Sequence, residues 1–226
     1  MITPAVTVVD YGLGNLLCVS RALEHVGARV QLSDSAAAIA AATHLVLPGV
    51  GAFRDGMSGL QQRDLIEPLR SYGRSGRPFL GICLGMQLLF EHSEEFGRQE
   101  GLGLIAGGVV AIPEVNPSGR PHKIPHIGWN ELRMPAGRRT WEGSPLAGLA
   151  PETPMYFVHS FTADPAQAGD RLADCDYDGC RISAAVGHGS LYGCQFHPEK
   201  SGPAGLRILE SFVRIGLGTE RWVRVS

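Results

Sequence analysis

PFLGICLGMQLLF, Pro78 to Phe90, passes from a short apolar run through Gly-x-Cys-x-Gly into a second apolar run. Pro78–Ile82 predicts a buried strand, and the residues after Cys83 predict a helix. Gly81 and Gly85 would permit a sharp strand-to-helix turn, the mechanics of a nucleophile elbow. Such a turn projects its central side chain beyond the carboxyl end of a sheet. The amides opening the next helix point to the same place, where they lower a thiol pKa and stabilise an oxyanion. A free cysteine is also a common small core residue, so the glycines alone leave packing and chemistry both open. Leu88–Phe90 predicts the core that holds the turn still.

Outward from this stretch, the first half alternates strand and helix patterns. Val6–Asp10 predicts a strand ended by Gly12 and Gly14, and Asn15–Val26 a helix with Gly27 at its C-cap. Arg29–Leu32 predicts a strand, Ser35–Ala42 a helix capped near Asp34 or Ser35, and His44–Leu47 a strand ending at Pro48-Gly49. A helix near Asp64–Tyr72 leads into Pro78. Alternation of this kind predicts an α/β fold with an open, mostly parallel sheet flanked by helices. Later apolar runs at Leu104–Ile112, Lys123–Leu132, Met155–Phe161, Ile182–Val186 and Leu191–Phe196 predict further strands, some antiparallel. A helix over Ala204–Ile215 closes the pattern, and a single domain over 1–226 is expected.

With 226 residues, 44% hydrophobic and 19% charged, the composition is that of a soluble globular protein. A formal charge of −2 leaves no basic footprint for nucleic acid or an anionic membrane. No apolar run approaches the roughly 20 residues of a membrane span. MITPAVTVVD lacks a basic n-region and reaches Asp10 too early for a signal peptide. Five cysteines at irregular spacing fit a reducing cytoplasm better than a disulfide framework. Cys175, Cys180, Cys194 and His197 do not fall at a recurrent zinc spacing. Asp10-Tyr11-Gly12-Leu13-Gly14 lacks the third glycine of a dinucleotide fingerprint, since Leu17 occupies that position. No metal and no cofactor is expected.

Two further stretches carry chemistry. In QFHPEKSG, Gln195–Gly202, His197 follows a predicted strand, and Glu199 lies two residues on, within reach to orient the imidazole. A charged surface loop would use the same residue types. In LPGVGAF, Leu47–Phe53, a Pro-Gly-x-Gly turn at a strand end can offer bare amides to a reacting carbonyl, or merely turn the chain. YFVHSF, Tyr156–Phe161, would add a wall to such a pocket.

GICLG, PGVG and HPE together resemble the class I, triad-type glutamine amidotransferase family over nearly the whole chain. VDYGLGNL, GICLGMQLLFE, KIPHIGWN, YFVHS and QFHPEKSG resemble in particular the glutaminase subunits of imidazole glycerol phosphate synthase in histidine biosynthesis. The resemblance implies Cys83 as nucleophile, His197 as general base and acid, and Glu199 as its orienter. It implies an oxyanion hole from the Leu84 amide with one from Gly49, Val50 or Gly51. L-glutamine would be held by Gln87, Glu95 and the backbone of His159, Ser160 and Phe161; the last is often tyrosine in the family. Asn15, Trp129, Tyr156 and Lys200 match interface positions toward a (β/α)8-barrel cyclase subunit, expected as a 1:1 heterodimer, with ammonia passed to it. The competing readings are a glutaminase for anthranilate or carbamoyl-phosphate synthesis, a non-catalytic regulatory module, and a free-standing hydrolase.

Overall fold

In a computed structural model, which describes residues 3–217, strand alternation divides the apolar side chains between two clusters. Val6, Val8, Val46, Leu80 and Ile82 face one way, and Val9, Leu45, Leu47 and Phe79 the other. A sheet apolar on both faces needs helices on both. The first half supplies them as β1 (Ala5–Val9), α1 (Leu16–His25), β2 (Arg29–Ser33), α2 (Ala36–Ala41) and β3 (His44–Gly49). There follow α3 (Phe53–Gln62), α4 (Ile66–Arg74), β4 (Phe79–Cys83) and α5 (Leu84–Leu88). The rest of the chain forms β5 (Phe90–Ser93), β6 (Gln99–Glu100), β7 (Ile105–Ala111), β8 (His126–Glu131) and β9 (Pro154–His159). It ends with β10 (Phe161–Pro165), β11 (Arg171–Tyr177), β12 (Cys180–His188), β13 (Leu191–Cys194) and α6 (Gly202–Arg214).

Among the described residues the central sheet has seven strands in the order β11-β12-β13-β4-β3-β1-β2. From β13 to β2 every pairing is parallel, while β11 and β12 extend the sheet antiparallel. The predicted α/β class, with antiparallel strands added by the second half, describes this architecture. Val19 and Leu23 of α1 and Ile208 and Phe212 of α6 fill one cluster, and Ile39, Leu60, Leu69 and Tyr72 from α2, α3 and α4 fill the other. A second sheet, β10-β7-β5-β6, and the β8-β9 ribbon complete the second half. No helix among the described residues is long and apolar enough to cross a membrane.

Three local expectations change. The run Leu47–Phe53 is not all loop: Leu47–Gly49 continues β3, and Phe53 already opens α3, which the sequence pattern did not predict. Met155–Phe161 is not one strand; it breaks at Ser160 into β9 and β10, which belong to different sheets. The turn at the elbow also falls elsewhere. Cys83 itself takes φ +54°, ψ −113°, whereas Gly81 and Gly85 are not among the positive-φ glycines. These two glycines are required for space. A Cβ on Gly81 would lie 2.6 Å from the Gly85 carbonyl oxygen, and one on Gly85 would collide with the Leu47 carbonyl oxygen. Close passage of α5 over β3 and β4 forces the bend onto the cysteine.

Candidate active site

The strand order β13-β4-β3 sets three predicted groups side by side at the carboxyl edge of the sheet. Cys83 ends β4, and Gly49, its register partner, ends β3. Cys194 ends β13 beside Ile82, and the chain reaches His197 three residues later. Pro198–Lys200 then form a short 3-10 turn, so Glu199 folds back under the imidazole. Its side chain is buried, and its Oε1 accepts from His197 Nδ1 at 2.8 Å. With Nδ1 committed, the buried Nε2 is the nitrogen left to face Cys83. Burial alone would lower the His197 pKa. Hydrogen bonding to Cys83 and Glu199, together with their charges, outweighs that and raises it to about 9. An imidazolium at neutral pH is the partner a cysteine thiolate needs.

The Cys83 elbow places a cysteine in left-handed backbone, a conformation that costs on the order of 1–3 kcal/mol and persists where surrounding structure enforces it. The sulfur is 4.0 Å from the Val158 carbonyl and accepts from Gln195 Nε2 at 3.8 Å. Leu84 opens α5, a helix of only five residues. Its contribution to the thiol is therefore that of individual amides rather than a long helix dipole.

A cavity of about 290 Å³ opens over Cys83, near the lower end of the roughly 300–1,000 Å³ typical of small-molecule sites. Val50, Gly51, Leu84, Gln87 and Glu95 line it from the first half, and His159, Ser160, Phe161 and His197 from the second. Gly49 is not on its lining; a Cβ added there would run into the Tyr11 hydroxyl, Leu84 and Gly85. Gly51 carries φ +99° with open space where a Cβ would stand, and Val50 is 40% exposed. Glu95 Oε2 accepts the Phe53 amide at 2.6 Å and so holds the start of α3. Gln87 Nε2 donates to the Phe161 carbonyl at 3.1 Å and to Gln195 Oε1 at 2.9 Å. Both amide hydrogens of Gln87 are thus used within the protein, which leaves its oxygen as the group offered to the cavity. The Phe161 carbonyl accepts from both Gln87 Nε2 and His159 Nδ1.

Sequence reasoning missed Tyr11, Pro125, Val158 and Gln195. Pro125, after a cis peptide, and Val158 line the cavity. The buried Tyr11 hydroxyl lies against Gly49 without a hydrogen-bond partner. Each of the four lies inside a stretch singled out in the sequence, Tyr11 in VDYGLGNL, Pro125 in KIPHIGWN, Val158 in YFVHSF and Gln195 in QFHPEKSG, but none was picked out as an individual site residue. A larger groove of about 730 Å³ between α3, α4 and β6 holds Arg54, Gln61, Glu67 and Arg70 but no paired nucleophile and base.

The four expected interface residues lie outside the cavity. Trp129 is 58% exposed on β8, opposite Tyr156 on β9, and their rings meet edge-on at 6.0 Å. The exposed Lys200 sets its Nζ 5.9 Å from the Tyr156 ring centre. Asn15 accepts the Cys18 amide at 3.3 Å as the N-cap of α1.

Residues 7–215 match the family described as "Glutamine amidotransferase class-I". The "Imidazole glycerol phosphate synthase subunit HisH 1" of Legionella pneumophila (strain Lens) is 52% identical over 211 residues, 93% of this chain and 99% of that one. The corresponding subunit of Geobacillus thermodenitrificans is 46% identical over 213 residues, 94% and 97% of the two chains. Two solved structures share the fold. "Structure of PurLQS from Thermotoga maritima" superposes with a TM-score of 0.68 at 19% identity, over 94% of this chain and 99% of that one. "Crystal structure of glutamine amidotransferase" superposes with 0.68 at 17%, over 92% and 99%.

Proposed function

The chain belongs to the class I glutamine amidotransferase family, within it to the glutaminase subunits of imidazole glycerol phosphate synthase, and we propose that Cys83, His197 and Glu199 are the triad with which it hydrolyses L-glutamine. The observation that carries this assignment is the β13-β4-β3 order, which brings a strained cysteine, an imidazole oriented by a buried carboxylate, and a Pro-Gly-x-Gly turn to one strand edge. The Cys83 thiolate attacks the side-chain amide carbon of glutamine. The Leu84 amide, with one from Gly49, Val50 or Gly51, stabilises the oxyanion. His197 gives its proton to the departing ammonia, leaving a γ-glutamyl thioester. It then takes a proton from water, whose attack expels the sulfur, releases glutamate and restores the thiolate–imidazolium pair, while the carboxyl proton of the product goes to the released ammonia.

The Gln87 oxygen and the Glu95 carboxylate suit the substrate's ammonium group. The backbone of His159, Ser160 and Phe161 forms the opposite wall. The partner is a cyclase subunit of the (β/α)8 type in a 1:1 heterodimer, which receives ammonia across a face carrying Asn15, Trp129, Tyr156 and Lys200. The exposure of Trp129 beside the cavity wall supports this choice of face. We take residues 1–226 as one amidotransferase domain working in the cytoplasm; residues 1–2 and 218–226 of that span lie outside the described residues.

In the assembled synthase, Cys83→Ala should abolish glutamine-dependent synthesis and leave synthesis from added ammonium intact. Loss of both would refute the assignment, because Cys83 would then support assembly rather than chemistry.

A further inference from the structure

We propose that Gln195 is a further catalytic residue, whose side-chain amide donates a hydrogen bond to the Cys83 sulfur and favours its thiolate form. The proposal rests on Cys83 being the nucleophile and adds a donor that the triad lacks.

The polarity of the contact follows from its neighbours. The Phe161 carbonyl can only accept, so Gln87, 3.1 Å away, must turn its Nε2 toward it. The same Nε2 then gives its second hydrogen to Gln195 at 2.9 Å, which requires the oxygen of Gln195 there. With Oε1 committed, Nε2 of Gln195 faces Cys83 Sγ at 3.8 Å. The reverse orientation would set two NH2 groups against each other and a carbonyl oxygen against the sulfur. Gln195 is fully buried, so no water substitutes for either bond.

The brace continues outward. His159 Nδ1 donates to the Phe161 carbonyl at 2.8 Å, leaving His159 Nε2 to accept from His126 Nδ1 at 3.0 Å. His126 faces His159 across the β8-β9 ribbon. Both His159 and Gln87 thus donate to the Phe161 carbonyl, which fixes Gln87 and, through it, Gln195 from behind. When the sulfur passes its proton to His197, the Val158 carbonyl 4.0 Å away has nothing to accept. The amide hydrogen of Gln195 then gains strength, because a bond to an ionised acceptor is roughly twice as strong as a neutral one.

The test is the pH profile of iodoacetamide alkylation, read peptide by peptide in the full chain. Thiolate displaces iodide, so the rate at Cys83 reports its ionisation, and the exposed Cys18 serves as internal reference. Gln195→Met keeps length without a donor; Gln195→Glu keeps an acceptor for Gln87 and also loses the donor. Each should move the Cys83 profile upward by about one pH unit, a roughly tenfold slower reaction near neutral pH, with Cys18 unchanged. The Met variant carries the test, because a Glu carboxylate at this distance also repels the thiolate by charge. If it fails to fold, Gln87→Met, which removes only the brace, should give a smaller shift of the same sign. A lowered melting temperature with an unmoved profile would show a merely structural role and overturn the proposal. A wild-type Cys83 that resists alkylation while Cys18 reacts would instead overturn the reading of Cys83 as nucleophile.

Discussion

Mild acid should destabilise the fold through histidines that the reaction does not consume. Burial lowers His126 to about 4, helped by the charge of His122. It lowers His159 to about 3 against an opposing bond to the Phe161 carbonyl, with the charges of His126 and His197 adding to the drop. An unfolded histidine titrates near 6.5. Between that value and the folded ones, the unfolded chain holds protons that the native state refuses, so stability falls as pH falls. From pH 7 to pH 5 the loss is about 2 kcal/mol for His159 and about 1 kcal/mol more for His126, because the two hydrogen-bonded rings titrate as a coupled pair and their losses do not add in full. His44, lowered by burial, adds in the same direction. His197 acts oppositely. Its raised pKa of about 9 gives stability that is complete below 6.5 and lost as pH rises toward 9, so the same acidification returns about 1 kcal/mol. The net loss is about 2 kcal/mol, or roughly 4–8 °C in melting temperature for a chain of this size. Thermal unfolding followed by circular dichroism at pH 7, 6 and 5 measures it, above the range where carboxylates titrate. His159→Gln should flatten the slope. A melting temperature that stays level or rises toward pH 5 in the unmodified protein would refute the reasoning.

Two substitutions test the packing around the elbow. Gly85→Ala places a methyl group against the Leu47 carbonyl oxygen, which belongs to a central strand and cannot yield. It should cost about 3 kcal/mol in a denaturant titration, and an unchanged midpoint would show that α5 does not lie so close over β3. Tyr11→Phe removes a buried hydroxyl without a partner and should leave stability level or raise it by up to about 1 kcal/mol. A clear drop in melting temperature would mean that the hydroxyl is bonded.

The parallel half was legible because buried strands and capped helices leave periodic traces in sequence. Helix α3 was not. Its Gly56 and Gly59 weaken a helical pattern, yet both are glycine for contact: a Cβ on Gly56 would stand 3.1 Å from Leu88, and one on Gly59 2.6 Å from the Tyr11 carbonyl oxygen. Strand β11 was hidden by charge. Arg171 and Asp174 interrupt its apolar pattern, but both are buried and satisfied by each other at 2.7 and 2.9 Å. At the site, the motifs flanking Cys83 and His197 carried the triad expectation. Val158, Pro125 and Tyr11 lie inside quoted motifs, but their residue types carry no chemistry of their own; only strand pairing and the fold-back show which of them reach the cysteine.

That fold-back also ties the proposed docking face to the triad through backbone rather than side chains. His197 donates its N–H to the Tyr156 carbonyl at 3.0 Å, and Tyr156 donates its own N–H to Ser201 Oγ at 3.0 Å. Ser201 Oγ donates in turn to the His197 carbonyl at 2.7 Å, which closes a ring. Ser201 is buried, so none of these bonds is exchanged for water without cost. Tyr156 stands opposite Trp129 and beneath Lys200, so a partner pressing on those side chains bears on the strand that holds the imidazole. The opposite end of the same ribbon carries His126 and His159, which reach Cys83 through Phe161, Gln87 and Gln195. One two-stranded ribbon therefore touches both proton-carrying groups of the site. A shift of β9 along its axis would displace His197, held through the Tyr156 carbonyl, relative to Cys83, which ends β4 of the central sheet, so the distance between those two side chains is the quantity such a partner would be placed to control.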